Sequence, residues 1–326
     1  MFRWILSATL LMVSFSAMSE EAQTYAEKLG FPKGARVAIF HSDDLGMFID
    51  ANRGTIASVE NGIVTSASTM MPTGWVTHWR DWLKDHPDFD NGLHLTLTSE
   101  WKYYRWAPIV GAAQAPGLVD PDGHFWPSVM EVATHASGAE VEAEIRAQVD
   151  KAEKMGLPIT HMDSHMGTIF ARPDYLAAYV KVGIEKQIPI MIMGGHLTAL
   201  TKTQAKMPGI EERKKWILEI AQQAWDGGLP VLDDLHTDFT STRDLAEKKQ
   251  YITDSVKAQK PGVTMYIVHC TIPSEVFGDI SGTGETRHND MLTMTDPDIL
   301  QLIKDEGIIL TTWKELKERR DALEKK

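Results

Sequence analysis

The chain has 326 residues, sets 33 basic against 45 acidic side chains for a formal net charge of −12 at pH 7, and carries one cysteine, Cys270. An acidic balance of this kind disfavours nucleic acid and polyanionic glycans as partners, and a lone cysteine excludes an internal disulfide. The length is about twice that of a typical domain, yet it is routine for one barrel of alternating strands and helices.

The chain opens with "MFRWILSATLLMVSFSAMSEE". Arg3, an apolar centre and the small residues Ala17 and Ser19 form the pattern of a cleavable signal peptide over residues 1–19, too short for a comfortable membrane span. The expectation is a secreted or periplasmic protein without stable membrane anchoring, with residues 20–326 forming one domain.

From there, short apolar runs rich in Val and Ile alternate with segments of helical periodicity. The strand candidates in chain order are "RVAIFHS", "IVTSASTMM", "NGLHLTLT", "PITHMDSH", "PIMIMG", "PVLDDLH", "VTMYIVHC" and "GIILTTW". Between them run helix candidates punctuated by Pro173 near a start and by Gly156 and Gly227 at stops. Eight such strands joined by right-handed crossovers predict an α/β fold, a (β/α) barrel that is TIM-like and regular or distorted. A doubly wound open sheet is the alternative, because the pattern does not show closure. The longest interruption, about 99–137, holds "EWKYYRWAPIV" and "LVDPDGHFWPS". Trp101, Trp106 and Trp126, with Tyr103 and Tyr104, read either as a platform for a ligand or as a local core capping the barrel.

Barrel enzymes carry their reactive groups at the C-terminal ends of strands. Those ends hold Asp43 and Asp44 on the first strand, His94 on the third, and His161, Asp163 and His165 on the fourth. His196 follows the fifth, Asp233, Asp234 and His236 close the sixth, and His269 closes the seventh. Period two places His161, Asp163 and His165 on one face. The adjacent carboxylates in "HSDDLG" repel unless a cation lies between them or one stays protonated. A carboxylate from the first strand with imidazoles from the third and fourth makes a two-histidine, one-carboxylate site for a divalent ion. Taken singly, an Asp pair before glycine is also a turn or a helix cap, and a lone strand histidine is also a hydrogen-bonded core residue. The combination favours the ion, since burying these groups unpaired is costly. Cys270 does not read as a partner of His269, because consecutive strand residues face opposite ways.

Taken in order, "HSDDLG", "NGIVTSASTMMPTG", "GLHLTLT", "THMDSHMG" and the seventh strand's "VHC" resemble the YdjC-like carbohydrate deacetylases of the ChbG/HpnK type, from about Arg36 to Trp313; "GLVDPDGHFWP" resembles that family's segment after its third strand. The resemblance implies a metal-dependent hydrolase that removes acetyl groups from N-acetylated amino sugars or oligosaccharides. Position by position, it implies Asp44, His94 and His165 as metal ligands, Asp43 as general base and His269 as a catalytic partner at the leaving group. The two aspartates could exchange roles. The chain departs from the family pattern at Met166 and Gly167, where further histidines are usual, and at Cys270, where proline is usual. Asp163, His161, His196, Asp234 and His236, with Trp101, Trp106 and Trp126, are expected around the ion or the substrate. The ion is expected to be zinc or magnesium. The partner is an acetylated carbohydrate, and a homodimer is left open. The competing readings are a metal-dependent hydrolase of an O-acetyl ester, cyclic amide or phosphoester, and a secreted carbohydrate-binding protein without turnover.

Overall fold

The computed structural model describes residues 23–198, 209–237 and 244–324. The signal peptide expected over residues 1–19 lies outside the described residues. No helix among them is long and apolar enough to cross a membrane.

Among the described residues, seven strands form one parallel sheet: β1 (Arg36–Leu45), β2 (Ser66–Thr69), β3 (Asp90–Leu95), β4 (Met162–Ser164), β5 (Asp234–His236), β6 (Gly262–Val268) and β7 (Ile309–Leu310). Their order is β4-β3-β2-β1-β6-β5, with β7 also on β1. Single parallel bridges from Met162 to Ile190 and from Met193 to Leu232 carry the pairing from β4 round towards β5. The result is a distorted TIM-like barrel.

The distortion falls at two of the eight expected strands. "PIMIMG" makes bridges rather than a strand. The Tyr179 hydroxyl lies at this seam, accepting from Met191 N and donating to Met162 O, so a side chain supplies part of what a continuous ladder would. "GIILTTW" is reduced to two paired residues, opposite Val37 and Ala38 on the N-terminal half of β1, while β2 meets the C-terminal half from His41 onward.

Alternation along the central strands separates two layers. Val37, Ile39, Val263, Met265 and Ile267 join the larger core with Trp79 and Trp313, whereas Ala38, Phe40, Tyr266, Val268 and Cys270 pack outward with Ile252, Val256, Ile299 and Ile303. The long helix Gly138–Met155 starts in a capping box between Ser137 and Glu140 and ends at Gly156, whose φ of 72° glycine adopts without strain. A short helix, Tyr25–Lys28, closes the foot of the barrel: Asp233 accepts from Tyr25 N at 2.8 Å, Ala26 N at 3.1 Å and Val263 N at 2.8 Å.

The aromatic interruption has its own frame. Arg105 bonds Asp120 and the Phe125 carbonyl. Trp106 Nε1 donates to Thr98 O, and Trp126 Nε1 donates to Gly117 O. Buried Glu144, on the helix Gly138–Met155, accepts from Ile109 N and Val110 N. The segment is thereby tied to the barrel wall.

Candidate metal and catalytic site

The two aspartates meet because β1 is irregular. His41 and Asp43 point inward by period two, so a regular strand would send Asp44 outward. The pairing with β2 instead shifts between Ser42 and Leu45, and Asp44 takes a φ of 67°. A bulge with a left-handed residue turns its carboxylate back to the side of its neighbour.

Asp44 Oδ1 lies 3.3 Å from His94 Nε2 and 3.2 Å from His165 Nδ1. It is buried and makes no well-aligned hydrogen bond among the described residues. Ligands bonded at about 2.0–2.1 Å to one tetrahedral ion stand about 3.3 Å apart. Asp44, His94 and His165 therefore fit a divalent ion, both in spacing and in donor type. The opposite ring nitrogens are held: His94 Nδ1 lies 2.7 Å from Asp163 Oδ1, and His165 Nε2 lies 2.9 Å from Glu100 Oε1. A carboxylate on the far nitrogen fixes ring orientation and strengthens the donor.

Beneath these, buried His41 places Nε2 2.8 Å from Asp163 Oδ2 and 3.0 Å from Asp43 Oδ1, with Ser66 2.9 Å from Nδ1. His161 lies deeper, stacked on Trp313 with ring centroids 5.3 Å apart. Gly92 leaves it room: a Cβ there would stand 2.5 Å from the imidazole. His161 is a core residue whose pKa burial pulls down to about 4.

His269 Nε2 is 3.8 Å from Asp43 Oδ2 and 3.9 Å from Asp44 Oδ2. Its backbone N donates to Asp290 at 2.9 Å, and Asp290 is paired with buried Lys248. Arg287 reaches Asp44 Oδ2 at 2.6 Å and stands over the Trp101 ring.

The field favours positive charge between these carboxylates. Burial pulls His165 and His41 down, yet the charges and hydrogen bonds of Glu100 and Asp44, and of Asp163 and Asp43, outweigh it and hold both at about 9. Burial opposes charge on His94 too, but Asp43 and Asp163 raise it well above the usual imidazole value. Burial would raise Asp44, but Arg287, His165 and His94 hold it well below the usual carboxylate range. A cation bound between these groups would supply the positive charge that those protons otherwise provide. His269 differs: burial, then Arg287, lowers it, so it rests neutral near pH 7.

Several expected residues lie elsewhere. Asp234 and His236 pair in register with Thr264 and Tyr266, and His236 stacks on Tyr266, on the outer face of the sheet. His196 bonds the Pro261 carbonyl just before β6, towards the foot of the barrel where Asp233 caps the short helix. A strand end by position is not an inward face by register. Trp126 stacks on His135 within the interruption. Trp106 is buried with its ring 6.4 Å from His165, and Trp101 is buried beside Arg287. Trp75 and Tyr103 are exposed. Cys270 faces the outer layer, its thiol pushed up to about 12 by burial.

Glu100, Arg287, Asp290 and His41's inward role have no pattern of their own in the sequence. The helix Gly284–Met294 that carries Arg287 and Asp290 has weak apolar periodicity; only their spacing of three, which shares one helical face, points to them.

The family of YdjC-like proteins matches residues 37–305. A curated carbohydrate deacetylase of Thermoanaerobacter pseudethanolicus is 24% identical over 279 residues, covering 86% of this chain and 98% of that protein. One from Thermus thermophilus is 35% identical over 156 residues, 48% of this chain, which thus spans about half the length (53%) of that relative. Among solved structures, an Enterococcus faecalis protein described provisionally as a cellobiose-phosphate cleavage protein superposes with a TM-score of 0.70 at 20% identity, covering 86% of this chain and 99% of that one. That likeness supports the barrel fold.

Proposed function

The chain belongs to the YdjC-like protein family, and from that premise we propose that it removes acetyl groups from an N-acetylated amino sugar or oligosaccharide, using a divalent ion held by Asp44, His94 and His165. The observation that carries the reading is the buried convergence of those three donors with Asp43 and His269 beside them. The curated relatives named carbohydrate deacetylases point to the same chemistry.

When bound, such an ion supplies a Lewis acid for the acetamide oxygen and lowers the pKa of a nearby water. Asp43 accepts the proton that water loses on attack. An amine leaves poorly unless protonated, so a second group must deliver a proton to nitrogen. His269, neutral at rest and within 3.8 Å of Asp43 Oδ2, is placed to receive that proton and pass it on. Arg287 holds Asp44 from its other oxygen, and Asp290 fixes the His269 backbone. Zinc and magnesium are the expected ions. The opening segment, Met1–Ser19, supports export to the periplasm or exterior, which N-terminal sequencing of protein from fractionated cells tests.

The deciding experiment is acetate release from N-acetylated oligosaccharides by purified protein, with and without a chelator. Release that stops on chelation and returns with metal is expected. No release from any acetylated glycan under metal-replete conditions sinks the deacetylase reading in favour of another hydrolase or a binding protein.

A further inference from the structure

We infer that Glu100 is a positioning residue for the metal ligand His165, and that its carboxylate raises the affinity of the barrel for its ion; this rests on the metal-dependent reading above. The two candidate imidazole ligands are held differently. His94 presents Nε2, and its Nδ1 is held by Asp163, a residue of β4 within the barrel itself. His165 presents Nδ1, and its Nε2 faces both oxygens of Glu100, at 2.9 and 3.1 Å.

Glu100 does not belong to a strand. It stands just beyond β3, in a stretch whose neighbours are fixed by the aromatic segment: Ser99 N donates to Trp126 O, and Ser99 Oγ receives Trp106 N and Arg105 Nε. Both Glu100 oxygens on one nitrogen leave Nε2 as the donor and direct the Nδ1 lone pair at the Asp44 side. His165 needs such an anchor. It is the last residue before a break in regular structure, where Met166 and Gly167 take φ of 55° and 65°, so its backbone is not fixed by a continuing strand.

Calorimetric titration of the chelator-stripped protein with zinc alone tests this. Loss of a carboxylate behind a ligating histidine weakens metal binding about 10- to 100-fold, which is the effect expected for Glu100→Ala. Glu100→Gln keeps the shape and an acceptor but loses the charge, and should fall between that variant and wild type. Arg105→Ala loosens the aromatic segment without touching His165, and should stay within about threefold of wild type. Circular dichroism checks that each variant folds. Zinc binding by both Glu100 variants within about threefold of wild type overturns the proposal, as does an equal loss in Arg105→Ala, since the affinity would then depend on segment folding and not on the carboxylate. A wild type that binds no zinc overturns it too. Acetate release is measured alongside: a zinc-loaded wild type that shows the Glu100 dependence but releases no acetate retains this assignment and loses only the deacetylase reading.

Discussion

Asp44 reaches the site through a single backbone angle. With φ at 67° it faces inward beside Asp43 and aims one oxygen at His94 and His165, which on the proposed reading leaves Asp43 to move protons. Asp43→Asn should lower kcat on an N-acetylated oligosaccharide by about 100- to 10,000-fold while zinc affinity, read by titration, stays near wild type. A matching collapse of zinc affinity would mean that Asp43 is the ligand and Asp44 the base. His269→Ala should cost a similar factor on the amide but less on an O-acetyl ester, whose leaving alkoxide needs less help from an acid. Equal losses on both substrates would remove His269 from the proton delivery assigned to it.

At the scale of elements, the aromatic segment was legible as a departure from the alternation but not in its internal order. Trp101, Trp106 and Trp126 signalled a large apolar area to bury. Which of them faces a ligand depended on how the chain folds back: Trp126 on His135 and Gly117 and Trp106 on Thr98 within or beside the segment, and Trp101 on the distant Phe277 and Arg287. The exposed rings are Trp75, tied to the turn after Asp44 through Gly46 O, and Tyr103. Phe48 contacts both Trp75 and Tyr104, so Trp75 and Tyr104 line one rim of the mouth. Trp75→Ala should therefore raise KM for a long oligosaccharide by about 2- to 10-fold from the loss of one stacking contact, and leave a monosaccharide unaffected. Steady-state kinetics over a chain-length series decides it; a length-independent change would place this ring outside any extended subsite. The same dependence on distant partners explains the strand ends. Period two correctly grouped His161, Asp163 and His165, because they share one segment. It could not tell that Asp234 and His236 face outward, since that follows from their register against Thr264 and Tyr266. Glu100 was invisible for a related reason: nothing local distinguishes it from an exposed loop carboxylate, and only its approach to His165 does.

For the whole molecule, the barrel surrounds a cluster of carboxylates that burial would make costly without compensating positive charge. The fold has two ways to supply that charge, protons on imidazoles or an ion, and they leave opposite signatures. In chelated protein, His41 and His165 have pKa values raised to about 9, against about 6.5 in an unfolded chain. A raised folded pKa contributes stability that is complete below the unfolded value and lost as pH rises through the folded one. The melting temperature of the ion-free protein should therefore fall between about pH 6.5 and 9, by roughly 3 °C for each 2 kcal/mol lost in a domain of this size. Zinc reverses the trend, because its ligands must shed protons and binding strengthens as pH rises. At about 100 times its dissociation constant it adds about 2.7 kcal/mol, so the gap between zinc-loaded and chelated melting curves should widen from pH 6.5 to 9. Thermal melts at stepped pH read this directly. A gap that narrows with pH would mean that zinc does not replace protons at His165, and that the positive charge this site requires comes from elsewhere.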